Sequence, residues 1–164
     1  MNPEKKPSAK FDHEKLDAYQ LELRFIELVT PLLEDASASA KGRTREVCDQ
    51  LDRASLSALL NTAEGNGRRQ GQTRAKFFDD AHGSATECAA CLGALVAKKV
   101  CSQERIEEGK TLLLRVVCTL CGLIDRFDLN ANCREQPVEY RIWAPEKSDK
   151  KQSRTRTRTS RRTI

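Results

Sequence analysis

Aromatic side chains are scarce in this chain of 164 residues, at 5% of positions with a single tryptophan. Leu and Ala recur instead, which favours helices packed by aliphatic side chains and argues against a sandwich or barrel of β-branched and aromatic strands. Histidine is equally sparse. With only His13 and His82, far apart in sequence, a paired-histidine metal or acid–base site has little raw material, and both are read as structural or surface residues. No long apolar run is present. The longest, around Leu112 to Ile124, is broken by Arg115 and is too short to cross a bilayer. The first ten residues, Met1 to Lys10, carry positive charge with no apolar stretch behind it, so they do not read as a secretory signal.

What is present suits one soluble helical domain with appendages: 38% apolar and 32% charged residues. The net charge of +5 suggests nucleic acid until it is partitioned. Residues 147–164 hold eight Lys/Arg against the single acid Asp149, a net of +7, which leaves residues 1–146 at −2. The body of the protein is therefore slightly acidic, and an electrostatic case for nucleic acid rests on the tail or on local patches. Seven cysteines, an odd number, sit mostly among aliphatic residues on helical patterns. Small buried thiols in a reducing cytoplasm fit them better than a disulfide framework, and the expected compartment is cytoplasmic.

Periodicity predicts four helices. The first runs from Asp12 or His13 to about Asp35, with Leu16, Tyr19, Leu23, Ile26 and Leu33 at helical spacing and Pro31 loosening its last turn. Ala36 to Gly42 reads as a loop. The second spans Thr44 to Glu64 and is expected to stop where Gly65-Asn66-Gly67 can turn left-handed. The third runs from Gln72-Thr73 to about Lys99, with Lys98 and Lys99 favourable at the negative end of its dipole. Ser102 is the expected N-cap of the fourth, which ends near Phe127 to Asn130. Short connections between long helices force antiparallel neighbours, giving an all-α, up-down-up-down four-helix bundle. The expected organisation is a flexible N-terminus over 1–10, the bundle over 11–130, an irregular or extended segment over 131–146, and a disordered Arg/Thr-rich tail over 147–164.

The second helix has two apolar sides. Val47, Leu51, Ala54 and Ala58 cluster on one, and Leu56, Leu59, Leu60 and Ala63 nearly opposite. A bundle helix needs one apolar face, so the other implies burial against a neighbouring subunit or an unusually deep core position. Between them runs a polar stripe, Arg53, Ser57, Asn61 and Glu64, which could join Asp80, Ser84 and Glu87 of the third helix in a hydrogen-bonded network.

The run Arg53-Ala54-Ser55-Leu56-Ser57-Ala58-Leu59-Leu60-Asn61-Thr62-Ala63-Glu64-Gly65, followed by Phe77-Phe78 and Gly83-Ser84-Ala85-Thr86-Glu87, resembles the bacterial four-helix-bundle proteins first named for reading frames inside ribosomal RNA intervening sequences. The resemblance extends from about Phe11 to Phe127. Thr62 stands where the family usually has Ile. The resemblance implies a homo-oligomer, a ring of five subunits in known examples, and a relation to accessory proteins of diversity-generating retroelements, similar bundles that associate with a reverse transcriptase and nucleic acid.

Other constellations are weaker. Cys88-Ala89-Ala90-Cys91 and Cys118-Thr119-Leu120-Cys121 have the spacing of a tetrathiolate zinc site. On helices that turn near residue 101 the two pairs are offset by about 10 Å at 1.5 Å per residue, so packed thiols are the preferred reading and no metal site is assigned. No βαβ context supports a redox role. Arg53, Asn61, Glu64 and Glu87 lack the nucleophile–base pairing or phosphate loop that catalysis would need, and read as structural. Gly65 to Gly71 follows a helix rather than a strand and lacks Gly-Lys-Ser/Thr, so it reads as a flexible basic turn. Neither a catalytic residue nor a cofactor is assigned. The residues expected to meet RNA or DNA are Arg68 and Arg69 in that turn and Arg154, Arg156, Arg158, Arg161 and Arg162 in the tail, where alternating arginines can neutralise phosphates in any sequence. Two functions stand open: an oligomeric nucleic-acid-binding protein, and a structural or protein-interaction scaffold in which the tail is incidental.

Overall fold

A computed structural model describes residues 10–39 and 44–128. The expected flexible N-terminus (apart from Lys10), the segment 131–146 and the tail 147–164 lie outside the described residues. A single 3₁₀ turn, Asp12–Lys15, leads into α1 (Asp17–Ser39), α2 (Arg45–Gly67), α3 (Gly71–Ala97) and α4 (Gln103–Phe127). α1 packs on α2 and α4, and α3 packs on α2 and α4, so the helices form a closed square with sequence neighbours adjacent. Their antiparallel sense shows in the pairings. Gln50, Ser57 and Gly65 of α2 meet Glu87, Ser84 and Phe78 of α3, one helix climbing as the other descends. This is the up-down-up-down bundle that the short connections demand.

The core is aliphatic with two phenylalanines at its centre. Phe25 and Val29 of α1, Leu51 of α2, Phe78, Leu92 and Leu95 of α3, and Ile106, Val116 and Leu120 of α4 are all fully buried. Burying each such side chain contributes about 1.5 to 3 kcal/mol. Two glycines let helices approach closely. A Cβ on Gly109 would lie 3.2 Å from Leu92 Cδ1 and 3.3 Å from Leu28 Cδ2, and one on Gly65 would lie 3.0 Å from both Phe77 Cβ and Phe78 Cε1.

Several expectations change at the element ends. Helix one does not begin at Asp12 or His13: those residues form the 3₁₀ turn, in which the Phe11 backbone N–H donates to Glu14 Oε2. Nor does it end before Ala36. It runs past Pro31 to Ser39, because Ala36 is buried in the core and extends the apolar face by another turn. The buried stripe is also rotated, to Ala18, Leu21, Phe25, Val29, Leu32 and Ala36, and the expected Leu16, Tyr19, Leu23, Ile26 and Leu33 lie half-buried on its flanks. α1 carries more apolar positions than one core face can hold, and the phenylalanine with its i±4 neighbours takes the centre.

α2 likewise does not stop at Gly65. It remains helical to Gly67 and is left through an extended Arg68 (φ −75°, ψ 142°). The left-handed residue is elsewhere. Lys99, at φ 58°, is the one non-glycine with positive φ among the described residues, and it closes α3 while Val100 N–H donates back to Leu95 O at 3.0 Å. Lys98 and Lys99 are thus the cap of α3 rather than its last turn. Ser102 takes the N-cap position of α4 with an extended backbone but without a side-chain capping bond to the helix backbone.

Candidate functional site

The polar stripe of α2 meets α3, but as two short networks rather than one. Ser57 Oγ and Ser84 Oγ lie 3.0 Å apart, Asn61 Nδ2 donates to Ser57 Oγ at 3.3 Å, and Ser84 Oγ donates to Asp80 O at 2.9 Å. A turn away, Gln50 bridges the helices, donating to Glu87 Oε1 and accepting from Arg53 Nη2. Gln50 was absent from the expected set; its i−3 spacing from Arg53 was the signal. Glu64 does not join. It pairs with Arg68 one turn on, at the helix end where a flexible arginine is nearest. The groove beside Gln50, about 660 Å³ in volume, is lined by Glu46, Asp49, Arg53 and Glu87 as well as the apolar Val47 and Ala94. Its charged lining is three carboxylates against one arginine, so it is not part of a basic surface.

One end of the bundle collects arginines. Arg68 caps α2 and lies 4.7 Å from the centroid of the Phe77 ring. Arg69 is exposed in the three-residue crossing to α3. Arg74 in the first turn of α3 lies over Phe127 at 4.2 Å and donates to Asn66 Oδ1 at 3.1 Å, and Arg126 approaches the same ring from α4 at 5.7 Å. Cation–ring contacts of this kind hold a guanidinium in place without neutralising it. A Cβ on Gly71 would lie 3.2 Å from Phe127 O, so the α2–α3 crossing touches the end of α4, where the chain continues toward the Arg/Thr-rich residues. Arg68 and Arg69, neighbours in sequence, are both exposed at this end. Arg74 and Arg126 are additions made by the fold, since only packing places α4's last turn beside α3's first. Arg154, Arg156, Arg158, Arg161 and Arg162 lie outside the described residues.

The second apolar side of α2 narrows to two leucines. Leu56 is 51% exposed and Leu60 57%, whereas Leu59 is buried at 9% and belongs with the core, and Ala63 is half-buried. Two large apolar side chains one turn apart in water form a patch, not an isolated exposure.

The least anticipated feature is polar and internal. Glu22 of α1 is 2% exposed, and its Oε1 accepts a 2.7 Å hydrogen bond from Thr62 Oγ1 of α2, itself fully buried. Its Oε2 is buried with no hydrogen-bond partner. Burial pushes the Glu22 carboxyl up to about 7, against a smaller pull downward from the Thr62 hydroxyl. The sequence did contain a signal, for Glu22 lies at helical spacing between Ala18 and Phe25 on the true core stripe. The bond also accounts for a hydroxyl at position 62, where the family resemblance points to Ile.

Cys88 and Cys91 are buried, and desolvation pushes the Cys88 thiol up to about 12 and that of Cys91 upward as well. Such thiols are poor nucleophiles at neutral pH. Cys121 departs from the expectation of free thiols: it is disulfide-bonded. Among the described residues no three His, Cys, Asp or Glu side chains come together as a metal site, and no helix is long and apolar enough to cross a membrane. His13 lies between the rings of Phe11 and Tyr19, with centroids 5.6 and 4.9 Å away.

In comparisons with known proteins, the family model for the 23S rRNA-intervening sequence protein matches residues 14–121. No curated protein matches the chain.

Proposed function

The chain belongs to the 23S rRNA-intervening sequence protein family, and from that premise we propose that it is a non-catalytic bundle that self-associates and holds nucleic acid at its arginine-bearing end. The observation that carries this reading is the gathering of Arg68, Arg69, Arg74 and Arg126 at the end from which the chain proceeds toward residues 147–164. Several guanidinium groups beside a basic segment can neutralise successive phosphates, of RNA or DNA alike. Stacking contributions from the protein are limited, because Phe77 and Phe127 already carry arginines.

Self-association rests on Leu56 and Leu60. A ring, five-fold by resemblance, would present several copies of a weak basic surface at once, and effective concentration would turn micromolar contacts into firm binding. A reverse transcriptase or other protein partner would add to that surface rather than replace it.

The test is binding of labelled single-stranded and duplex RNA and DNA across a salt series. The intact protein is compared with a chain lacking residues 147–164 and with an Arg68→Glu, Arg69→Glu variant. Affinity falling steeply with salt, and weakened by both changes, is the expected result. Binding unaffected by either would remove this interface. A protein that assembles yet binds no nucleic acid would leave the scaffold reading, which Leu56 and Leu60 support on their own. Light scattering reads the assembly: Leu56→Asp with Leu60→Asp is expected to yield monomers, and a wild-type monomer at micromolar concentration would sink the self-association.

A further inference from the structure

Glu22 serves neither the basic end nor the leucine patch, yet the bundle keeps it in the core. A carboxyl group at 2% exposure, with one neutral hydroxyl donor and one oxygen unpartnered, is poorly compensated as an anion and tolerable as a neutral acid. Among the described residues no hydrogen bond brings it a counter-charge. From α2 comes the Thr62 hydroxyl. From α3 the titratable neighbour is Cys88, itself held neutral by burial. The buried positions of α4, from Ile106 to Ile124, carry no charged side chain, and those flanking Glu22 on α1 are Ala18 and Phe25. The charged residues between α1 and α4, Arg24, Glu27, Glu108 and Arg115, line the open groove on the outer side of that pair.

We propose that the buried Glu22 carboxyl is a proton-linked latch between α1 and α2, holding the helices together while protonated and loosening them when it ionises, because the loss of hydration outweighs the Thr62 hydrogen bond. An ionised Glu22 recovers hydration only if α1 shifts away from α2, so its deprotonation favours release of that helix pair. The Thr62–Glu22 bond ties the two helices across the core near the start of α1, which runs on to Ser39. The folded carboxyl titrates at about 7 and an unfolded glutamate at 4.5. The folded form therefore binds the proton more tightly between those values. Stability is complete below about pH 4.5, declines as pH rises toward 7, and is flat in this contribution above that. The span corresponds to a change in the folding equilibrium on the order of a hundredfold.

The experiment uses the full chain at one fixed protein concentration, as wild type, Glu22→Gln and Thr62→Val. Denaturant unfolding is followed from pH 5 to 8, and amide exchange at both limits is corrected for its intrinsic pH dependence. Wild type is expected to lose on the order of a hundredfold in folding equilibrium relative to Glu22→Gln across this window, with α1 amides losing protection before those of α3 and α4. Thr62→Val removes the donor that favours the anion, so its transition is expected to move to higher pH. Parallel pH profiles for wild type and Glu22→Gln would overturn the latch, as would equal loss of protection in all four helices. If Glu22→Gln does not fold, the carboxyl carbon of Glu22 in wild type is titrated by NMR, and a midpoint near 4.5 overturns the proposal while one near 7 supports it.

Discussion

Gly65 and Gly83 make a matched pair for testing what the α2–α3 contact demands. Both lie inside helices, where replacing Gly by Ala ordinarily gains about 1 kcal/mol from backbone propensity. At Gly83 a new Cβ meets nothing within 4 Å, so that gain should appear in full. At Gly65 the same methyl would sit 3.0 Å from Phe77 Cβ and 3.0 Å from Phe78 Cε1. Neither neighbour can yield easily: one atom is tied to the α3 backbone, and the other belongs to a fully buried ring. Overpacking of this kind costs about 1 to 3 kcal/mol, which outweighs the propensity gain. Gly65→Ala is therefore expected to lower stability by up to about 2 kcal/mol, and Gly83→Ala to raise it by about 1 kcal/mol. Denaturant unfolding at equal protein concentration reads both. In a thermal scan the two variants should move in opposite directions, by about 2 to 4 °C per kcal/mol. Gly65→Ala stabilising the protein as Gly83→Ala does would refute the close approach of α2 and α3 at Phe78.

Lys99 holds a left-handed backbone, which costs a non-glycine residue about 1 to 2 kcal/mol. Allowing for the greater freedom of glycine in the unfolded chain, Lys99→Gly is expected to stabilise the fold by about 0.5 to 1 kcal/mol, and an unchanged denaturation midpoint would contradict the φ of 58°. Cys88 is fully buried with its thiol pushed up to about 12. Because that value lies above the ordinary 9.0, its contribution to stability is present at neutral pH and lost only as pH rises past 9 toward 12. Native alkylation at pH 8 followed by peptide mass mapping should leave Cys88 unmodified while Cys101, which is partly exposed, reacts; equal labelling of the two would show the core to be open. Phe78→Ala empties the centre of the core and should cost about 3 to 5 kcal/mol in equilibrium unfolding, and a loss below 1 kcal/mol would mean that the ring is not packed as described.

The number of helices, their order and their antiparallel sense are all legible in the sequence. Each followed from a local property: apolar spacing near 3.6 residues, and connections too short to carry the chain back to the far end. The apolar surplus of α2 was legible too, as was the stripe that Ser57 and Asn61 share with Arg53 and Glu64, because side chains at successive turns of one helix share a face; which of them would meet Ser84 of α3 was not. Where α1 begins and ends was not legible, since Ala36 inside the core and Pro31 on the surface act through their surroundings. The same holds for Gly65, which a local reading takes as a helix stop and packing uses for contact with Phe78. Packing of the four helices chose which arc of α1 faces inward, set Arg74 and Arg126 with Arg68, and left Glu64 to Arg68 instead of the seam. It alone set Glu22 against Thr62, forty positions away. A hydrophobic pattern states which side chains seek burial; which polar group is buried with them depends on what the opposing helix supplies at that height.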